Sequence, residues 1–569
     1  MKKLKYIGIS IFLIGFIFLQ VYTDLSLPTL MADIIDRGVL HSNQAVVYSI
    51  GLDMLRFAGI GIVASVIVVF CASQLSTMIG RDIRNRFFAK IQTFSLLEMS
   101  RLSNASLLRR TTQDINFLQE FLFVALRVCL IAPLTAIYAI YLVFERNVSI
   151  LPILLISCLV IVLVIISFYV LTYSKFSLLQ KLSDRLNLIA KETILGIRVV
   201  QANNKEQYQE DKFQRTNQAL QKTTLFLERV MVLLNPFLLL CLNLTIVVLL
   251  WFGSKQVQVG MLEVGQLMAF IQYVTQFVTA LLMMSSLLVA FPEVMVSISR
   301  LREVFQMKVQ VQDRYNPVKY RNRMKGQLEF QNVSFQYPNA DFPVLHQLSF
   351  SVKRGETVAI VGPTGAGKTT LLHMIPRLLD PSSGSILIND VDLRDMQQEM
   401  LRKQIGYVPQ KSILFEGTIE QNVKYGGKRV STQAMNRALK LADANCFVNK
   451  RKKKSHDEVV RGGKNFSGGQ QQRLSIARAL VRDADIYLFD DCFSAMDFKT
   501  EQKILEQLQE LFEHKITLIV SSRIRTVQYM DRILVLDNGK IVGDSTHQQL
   551  LKTCPVYQEL VQSQIDEGE

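Results

Sequence analysis

The chain has 569 residues, of which 49% are hydrophobic, and a formal net charge of +16. This length predicts two or more domains. The mean hydropathy of +0.23 is high for a soluble protein and low for one that lies wholly in a membrane, so we expect a membrane half and a soluble half. The seven cysteines are scattered and contain no CxxC pair, which argues against a disulfide framework and against a zinc site.

The N-terminal half contains six apolar stretches long enough to cross a bilayer, which takes about 20 residues. The predicted membrane-spanning helices lie near residues 6–40, 57–80, 121–144, 148–173, 231–253 and 261–293. The first and last exceed the thickness of a bilayer, so they tilt or continue beyond it. No small-residue cleavage site cleanly follows the first stretch, which we interpret as a retained helix and not as a signal peptide.

Basic residues are concentrated at the N-terminus and in two long loops, 81–120 and 174–230, whereas the loops between them are short and carry few. By the positive-inside rule, the N-terminus, both long loops and everything after the sixth span are cytoplasmic. The positive charge therefore reflects membrane topology, and we expect no nucleic-acid partner. The short basic N-terminus without a transit peptide indicates a multi-pass protein of a bacterial plasma membrane.

The two long loops are rich in helix formers and poor in proline. This composition predicts membrane helices that continue into the cytosol, each pair joined by a short turn. The first turn is expected at residues 103–106 and the second near residues 199–210.

Several polar side chains interrupt the predicted spans, and ionisable groups at membrane depth are functional candidates. Asp24 and Arg127 either pair with each other, or Arg127 lies near the lipid headgroups. Asp36 is placed at the outer end of the first helix, where we expect like charges from two chains to gather and favour outward opening. For the amides, interhelical hydrogen bonding is the favoured interpretation; they are Asn235, Asn243, Gln272 and Gln276.

The last span carries aromatic and methionine side chains, namely Phe270, Phe277, Met283 and Met284. A flexible lining of this kind suits varied apolar cargo. Ordinary helix packing is the alternative interpretation of the same residues.

A polar linker, residues 309–326, separates the predicted membrane domain (1–308) from the predicted soluble domain (327–569). In the soluble domain, a β-branched strand over 357–361 feeds a glycine loop that opens a helix. This is the complete phosphate-binding pattern in its strand–loop–helix context. The predicted binding residues are Gly362, Pro363, Thr364, Gly365, Ala366, Gly367, Lys368, Thr369 and Thr370.

The residue types of this loop suit a nucleotide phosphate. Glycines let backbone N–H groups ring the phosphates, and the helix N-terminus adds the positive end of its dipole. Lys368 supplies a charge to the β- and γ-phosphates, and the Thr369 hydroxyl is a magnesium ligand. A second strand, IYLFD, ends in Asp490, which is placed to hold the same Mg²⁺.

A further anion site is predicted at Ser467, Gly468, Gly469 and Gln470, where a serine and two glycines open a helix. The phosphate loop already surrounds the phosphates, so this second site needs a different role. The basic run at residues 451–454 is interpreted as a solvated surface, with a contact to anionic lipid or a regulator as the alternative.

With the phosphate loop, the FSGGQ segment and the LFDD strand in this order, the chain resembles the ABC transporter family over its full length. The resemblance implies a membrane α-helical bundle with six transmembrane helices of ABC exporter type, followed by an α/β P-loop nucleotide-binding domain. It also implies ATP and Mg²⁺ as cofactors. Tyr337 matches the aromatic residue that stacks on adenine, and Gln410 matches the glutamine that touches magnesium. Ser467, Gly468 and Gly469 would contact the γ-phosphate of ATP held by a partner chain.

Two positions depart from the family pattern on the catalytic side of the site. Asp491 stands where a general-base glutamate is expected, and Ser522 stands where a histidine contacts the γ-phosphate. Misplacing a reacting group by about 1 Å costs on the order of 100-fold in rate. A milder departure is Arg461, at a position where exporters usually carry glutamate.

These departures predict one half of a heterodimer that binds ATP, hydrolyses it poorly at its own site, and completes the site of its partner. The chain is similar to the degenerate subunit of heterodimeric bacterial multidrug exporters. Its expected partners are a second half-transporter with the consensus glutamate and histidine, membrane lipid, and an amphipathic small-molecule substrate. The alternatives are a lipid or peptide exporter of the same architecture, a regulatory ATP-binding subunit that gates a partner, and a slow homodimer.

Overall fold

The computed structural model describes residues 2–318, 326–338 and 340–566. The chain forms two compact units. The first comprises Met1–Gln92 and Asn104–Gln306, and the second comprises Thr93–Ser103 and Met307–Glu569. The predicted linker belongs to the second unit as far as residue 318, and its residues 319–325 lie outside the described part.

Long helices make up the first unit. The helices that precede the first strand are α1 (Lys2–Asp33), α2 (Gln44–Gln92), α3 (Leu96–Arg101), α4 (Asn104–Arg109), α5 (Ile115–Arg146), α6 (Leu151–Leu195), α7 (Ile197–Ala202), α8 (Glu206–Gln258) and α9 (Val264–Gln306). Two π-helical segments, Ile34–Val39 and Arg110–Asp114, follow α1 and precede α5.

Six helical stretches of the described residues are long and apolar enough to cross a membrane, which confirms the predicted number. They are Leu4–Val39, Gln44–Gln92, Asn104–Arg146, Leu151–Leu195, Glu206–Gln258 and Val264–Met284. With 45 and 53 residues, α6 and α8 are far longer than the roughly 20 residues that a bilayer needs. The apolar pattern therefore located only the membrane part of each helix.

The first reversal between long helices is broader than the four-residue turn predicted at 103–106. It contains the whole of α3, which belongs to the second unit. Ser95 begins α3 with a capping box: its Oγ accepts from the N–H of Leu97 at 3.3 Å, and its own N–H donates to the Glu98 carboxylate at 2.7 Å. The second reversal, around α7, overlaps the predicted segment 199–210.

Aromatic residues of the last span are packed inside the first unit. Phe270 and Phe277 are 0% and 2% exposed and belong to a core built from α1, α2, α5, α6, α8 and α9. This supports ordinary helix packing for these two residues and not a cargo-facing lining. Met283 is exposed.

The polar groups of the spans are partnered in different ways. Gln276 donates from its side-chain amide to the carbonyl of Asp24 at 3.0 Å, an interhelical bond of the expected kind. Within the described residues Asp24 and Arg127 form no ion pair, and the Arg127 guanidinium lies 5.7 Å from the centre of the Phe123 ring.

The carboxylate of Asp36 caps the first turn of α9. The side chain is 4% exposed, and its two oxygens accept from the N–H groups of Gly265 at 2.6 Å and Gln266 at 3.1 Å. A Cβ at Gly265 would collide with the Ala32 carbonyl and with this carboxylate. The expectation that Asp36 meets like charges from a second chain is therefore wrong, because its charge is turned inward to satisfy unpaired helix donors.

The second unit contains two main sheets. Its strands are β1 (Leu328–Phe335), β2 (Leu345–Val352), β3 (Thr357–Val361), β4 (Ser383–Ile388), β5 (Val391–Asp392), β6 (Ile405–Val408), β7 (Gly417–Thr418), β8 (Glu458–Val459), β9 (Ile486–Asp490), β10 (Ile516–Val520), β11 (Arg532–Asp537) and β12 (Lys540–Ser545). Its α-helices after β1 are α10 (Lys368–Met374), α11 (Gln398–Lys403), α12 (Ile419–Lys424), α13 (Thr432–Leu441), α14 (Asn445–Val448), α15 (Gly468–Leu480), α16 (Phe498–Phe512), α17 (Ile524–Val527), α18 (His547–Thr553) and α19 (Pro555–Asp566).

The larger sheet positions the site. In the described chain it has the strand order β12-β11-β3-β10-β9-β6, and every pair from β11 to β6 is parallel. Every residue of β3, β9 and β10 is buried, as expected for apolar strands covered on both faces. Because parallel strands end at one edge, the segments after β3, β6, β9 and β10 meet there. The smaller sheet has the antiparallel order β2-β1-β4-β5.

Removing the Asp36 carboxylate should destabilise the first unit. Asp36→Ala leaves two N–H groups of α9 without their acceptor, and one buried unsatisfied group costs about 1–3 kcal/mol. We expect a lower apparent melting temperature for the detergent-purified protein. Asp53→Ala is the matched control, because Asp53 forms an exposed pair with Arg56 and such pairs contribute little. Equal melting temperatures of the two variants would contradict the capping role.

Candidate functional site

The glycine loop joins β3 to α10 in a conformation that needs glycine. Gly362 and Gly367 have φ values of +152° and +97°, and a Cβ at Gly362 would collide with the Leu536 carbonyl. The Lys368 ammonium lies over the loop, where it donates to the carbonyls of Gly362 at 2.7 Å and Pro363 at 2.9 Å. Burial lowers the pKa of Lys368, although the nearby carboxylates of Asp491 and Asp490 oppose this shift.

Two predicted magnesium ligands lie in direct contact. The Thr369 hydroxyl donates to Asp490 Oδ1 at 2.9 Å, and Asp490 is 1% exposed at the end of β9. Burial raises the pKa of this carboxyl above its usual range. A hydroxyl and a carboxylate are the hard oxygen donors that Mg²⁺ prefers, and Mg²⁺ in nucleotide sites takes its other ligands from water and phosphates. Because the other ligands would come from phosphates and water, this hydroxyl–carboxylate pair fits a nucleotide-bound Mg²⁺.

The three predicted catalytic residues meet at one carboxylate. Asp491 follows β9 with a φ of +43°. Its Oδ1 accepts from the backbone N–H and from the hydroxyl of Ser522, both at 3.2 Å, and its Oδ2 accepts from the side-chain amide of Gln410 at 3.3 Å. Loops that follow β6, β9 and β10 supply these groups, and both oxygens of Asp491 are engaged by the chain itself.

Tyr337 is half-buried, and its hydroxyl lies 3.1 Å from the hydroxyl of Thr370, which is buried in α10. The Tyr337 ring packs edge-on against Phe335 at a centroid distance of 4.9 Å. These contacts place Tyr337 beside the helix that follows the glycine loop and give Thr370 a structural partner.

The FSGGQ segment is preformed by a capping box. Ser467 is the N-cap of α15, and its Oγ accepts from the Gln470 N–H at 3.4 Å. The Gln470 side chain returns to accept from the Ser467 N–H at 3.2 Å, so its amide orders the turn. Ser467 and Gly468 are exposed, which leaves the start of this helix accessible to a ligand from outside the chain.

Arg451 stabilises the FSGGQ segment and is not merely a solvated charge. Its guanidinium pairs with Asp457 at 2.9 Å, donates to the Asn465 carbonyl at 2.9 Å, and lies 3.9 Å from the centre of the Phe466 ring. Only the three lysines that follow, at 452–454, are exposed as predicted.

Three contributors to the site carried no sequence signal. Tyr407 donates to Asp490 Oδ2 at 3.2 Å, and His373 lies 3.0 Å from the Tyr407 hydroxyl. Gln564 of α19 accepts from the Ile524 N–H at 2.8 Å and donates to the Ser522 carbonyl at 2.5 Å, so the last helix holds the loop that carries Ser522. Such contacts join residues far apart in the chain, so local spacing in the sequence does not predict them.

Comparison with known proteins covers both units. Residues 10–281 match the family model described as the ABC transporter transmembrane region, and residues 345–494 match the model described as ABC transporter. An uncharacterized ABC transporter ATP-binding protein of Mycobacterium tuberculosis, MT1311, is 36% identical over 95% of this chain and 93% of its own length. The uncharacterized ABC transporter ATP-binding protein YfiB of Bacillus subtilis is 34% identical over 99% of this chain and 98% of its own.

Two further similarities concern proteins with a stated activity or a solved structure. An ATP-dependent lipid A-core flippase of Syntrophus aciditrophicus is 30% identical over 87% of this chain and 82% of its own length. A bacterial Atm1-family ABC exporter, solved with ATP bound, has a TM-score of 0.85 and 25% identity and covers 98% of both chains.

Arg451→Met should loosen the FSGGQ segment. The change removes the ion pair and the bond to Asn465 while keeping much of the side-chain volume, and charged hydrogen bonds contribute about 1.5–3 kcal/mol. We expect amide hydrogen exchange over residues 463–470 to accelerate by about tenfold or more. Lys452→Met is the control, because Lys452 is adjacent and exposed. Unchanged protection in Arg451→Met would show that the contacts of Arg451 do not order this segment.

Proposed function

We propose that this chain, which belongs to the ABC transporter family and is a half-transporter of exporter type, uses ATP to move amphipathic small molecules out of the cell. Two observations carry its particular role: Gln410 and Ser522 both bond to the Asp491 carboxylate, and the start of the FSGGQ helix is ordered by its cap and exposed at Ser467 and Gly468. The first feature suits a site of low turnover. The second suits completion of a site on another chain.

In the proposed ATP site, each of the following residues contacts one part of the nucleotide or its metal ion. The N–H groups of the glycine loop, residues 362–367, and the Lys368 ammonium bind the phosphates, and the Tyr337 ring stacks on adenine. Thr369, Asp490 and Gln410 hold Mg²⁺, which when bound neutralises the developing charge on the phosphates. Ser467, Gly468 and Gly469 contact the γ-phosphate of a partner's ATP through the open start of α15.

We propose that hydrolysis at the chain's own site is slow for two reasons. Aspartate is one methylene shorter than the family's glutamate, and a misplaced base loses on the order of 100-fold in rate. The Asp491 carboxylate also accepts three hydrogen bonds from Ser522 and Gln410, so its oxygens face protein donors. Ser522 itself has no ionisable group to offer the γ-phosphate.

The partner is proposed to be a second half-transporter with the consensus glutamate and histidine, which makes the working unit a heterodimer. In that unit, hydrolysis occurs mainly at the site formed by the partner's phosphate loop and this chain's FSGGQ segment. A bacterial plasma membrane, with the N-terminus and the nucleotide-binding domain in the cytoplasm, is the proposed location, because basic residues are concentrated in the loops assigned to that side.

An aromatic cavity in the first unit supports amphipathic cargo. It lies between α1 and α5, has a volume of about 570 Å³, and is lined by Phe18, Leu19, Val21, Tyr22, Leu134, Ile137, Tyr138 and Tyr141. This volume lies within the range of about 300–1,000 Å³ that is usual for small-molecule sites. Stacked rings with a few hydroxyl groups suit a molecule that is apolar with a polar or cationic end.

Lipid export is the second candidate function, because the relative from Syntrophus aciditrophicus is described as an ATP-dependent lipid A-core flippase. An apolar cavity accepts an acyl chain as well as a drug. A regulatory ATP-binding subunit remains an alternative of a different class, and binding of cargo by this chain would argue against it.

ATP turnover by the chain alone tests the low-activity site. We expect the wild-type chain, purified in lipid nanodiscs, to bind ATP with little hydrolysis. Asp491→Glu combined with Ser522→His should raise the rate by on the order of 10- to 100-fold, because it restores the length of the base and an ionisable contact. Lys368→Ala in both backgrounds is the control for contaminating activity. Brisk hydrolysis by the wild type alone would instead indicate a homodimeric transporter.

Cargo binding tests the aromatic cavity. Tyr138→Ala removes a ring that stacks on Tyr141 at a centroid distance of 6.1 Å. We expect the affinity for the cationic dye rhodamine 6G, measured by fluorescence anisotropy in nanodiscs, to fall about 3- to 10-fold. Phe144→Ala is the matched control, since Phe144 is an exposed aromatic residue of α5 outside the cavity. Equal affinities of the two variants would place the dye elsewhere.

A further inference from the structure

Two polar side chains, Tyr407 and His373, form a hydrogen-bonded chain that leads away from the proposed magnesium ligand Asp490. Tyr407, in β6, donates from its hydroxyl to Asp490 Oδ2 at 3.2 Å. His373, in α10, places its Nε2 3.0 Å from the same hydroxyl, and its ring meets the Tyr407 ring at 68° with centroids 6.0 Å apart. The rings of Tyr407 and His373 are half-buried, whereas Asp490 is buried.

The direction of these hydrogen bonds follows from the number of protons available. A phenol carries one proton and two acceptor sites. The Tyr407 proton is directed to Asp490, which as a carboxylate can only accept. The Tyr407 oxygen must therefore accept from His373, which fixes the proton of a neutral His373 on Nε2. The order is His373 to Tyr407 to Asp490, with each group donating to the next.

Each oxygen of the Asp490 carboxylate therefore accepts a hydrogen bond from one hydroxyl. Thr369 donates to Oδ1 at 2.9 Å and Tyr407 donates to Oδ2 at 3.2 Å. Two donors from different elements, α10 and β6, set the rotation of the carboxylate about its last bond. A buried carboxylate held in this way keeps one orientation, and outer partners of this kind tune how well a ligand holds its metal.

We infer that Tyr407 is a positioning residue for Mg²⁺·ATP, that it acts by orienting the Asp490 carboxylate, and that His373 in turn holds Tyr407. This inference rests on the magnesium role proposed above for Asp490. Tyr407 also lies three residues before Gln410, within the strand that leads to it. The Tyr407 hydroxyl therefore connects Asp490, one proposed magnesium ligand, to β6, the strand that leads to Gln410, another proposed ligand.

Nucleotide titrations with and without metal separate positioning from folding. For the full-length chain in nanodiscs, the dissociation constant of the fluorescent analogue MANT-ATP is measured in Mg²⁺ and again in EDTA, and their ratio reports the metal contribution. Loss of an outer partner of a metal ligand typically costs about 10- to 100-fold in metal affinity. We expect Tyr407→Phe to reduce the Mg²⁺-dependent gain by about tenfold or more, with the EDTA value unchanged. His373→Leu should give a smaller loss in the same ratio.

Tyr487→Phe is the matched control. Tyr487 is a buried tyrosine of the neighbouring strand β9, and its hydroxyl donates to the Arg482 carbonyl at 2.7 Å, away from the carboxylate. We expect its metal ratio to equal that of the wild type. An unchanged ratio in Tyr407→Phe, or an equal loss of affinity in Mg²⁺ and in EDTA, would overturn the positioning role. If the wild type binds MANT-ATP equally well in Mg²⁺ and in EDTA, the proposed magnesium site is overturned, and the inference fails with it.

Discussion

The buried charge of Asp490 is the constraint on which the nucleotide half depends. A carboxylate with 1% exposure at the end of an apolar strand carries a desolvation cost that only well-placed donors offset. Thr369 and Tyr407 supply these donors from α10 and β6, so the helix after the glycine loop and the strand before Gln410 are both tied to β9. The parallel order of the sheet makes this possible, because the ends of its strands lie side by side.

The carboxylate next in the chain is organised differently. Asp491 takes its hydrogen bonds from Gln410 and Ser522, and Ser522 is held in turn by Gln564 of the last helix. The loops after three strands therefore meet at the Asp491 side chain, and the C-terminal helix holds the backbone of one of those loops. A group engaged in this way stabilises the arrangement of the loops.

In the membrane half, a buried carboxylate again satisfies backbone donors. Asp36 accepts from the first N–H groups of α9 and so ties the end of the first membrane helix to the start of the sixth. Backbone groups at a helix start have no partner within the helix, and an apolar environment leaves them no water. The glycine at position 265 permits the close approach that this contact needs.

The sequence by itself determined the family, the six apolar helices, the nucleotide-binding fold and the order of the motifs, because these are encoded in local composition and in spacings of a few residues. It did not reveal that Phe270 and Phe277 pack inside the core, that Asp36 caps a helix more than 200 residues away, or that α3 belongs to the second unit. It also gave no sign of Tyr407, His373 or Gln564 at the site. Only the tertiary structure decided these points, because hydrogen bonds and burial depend on which distant segments the fold brings together.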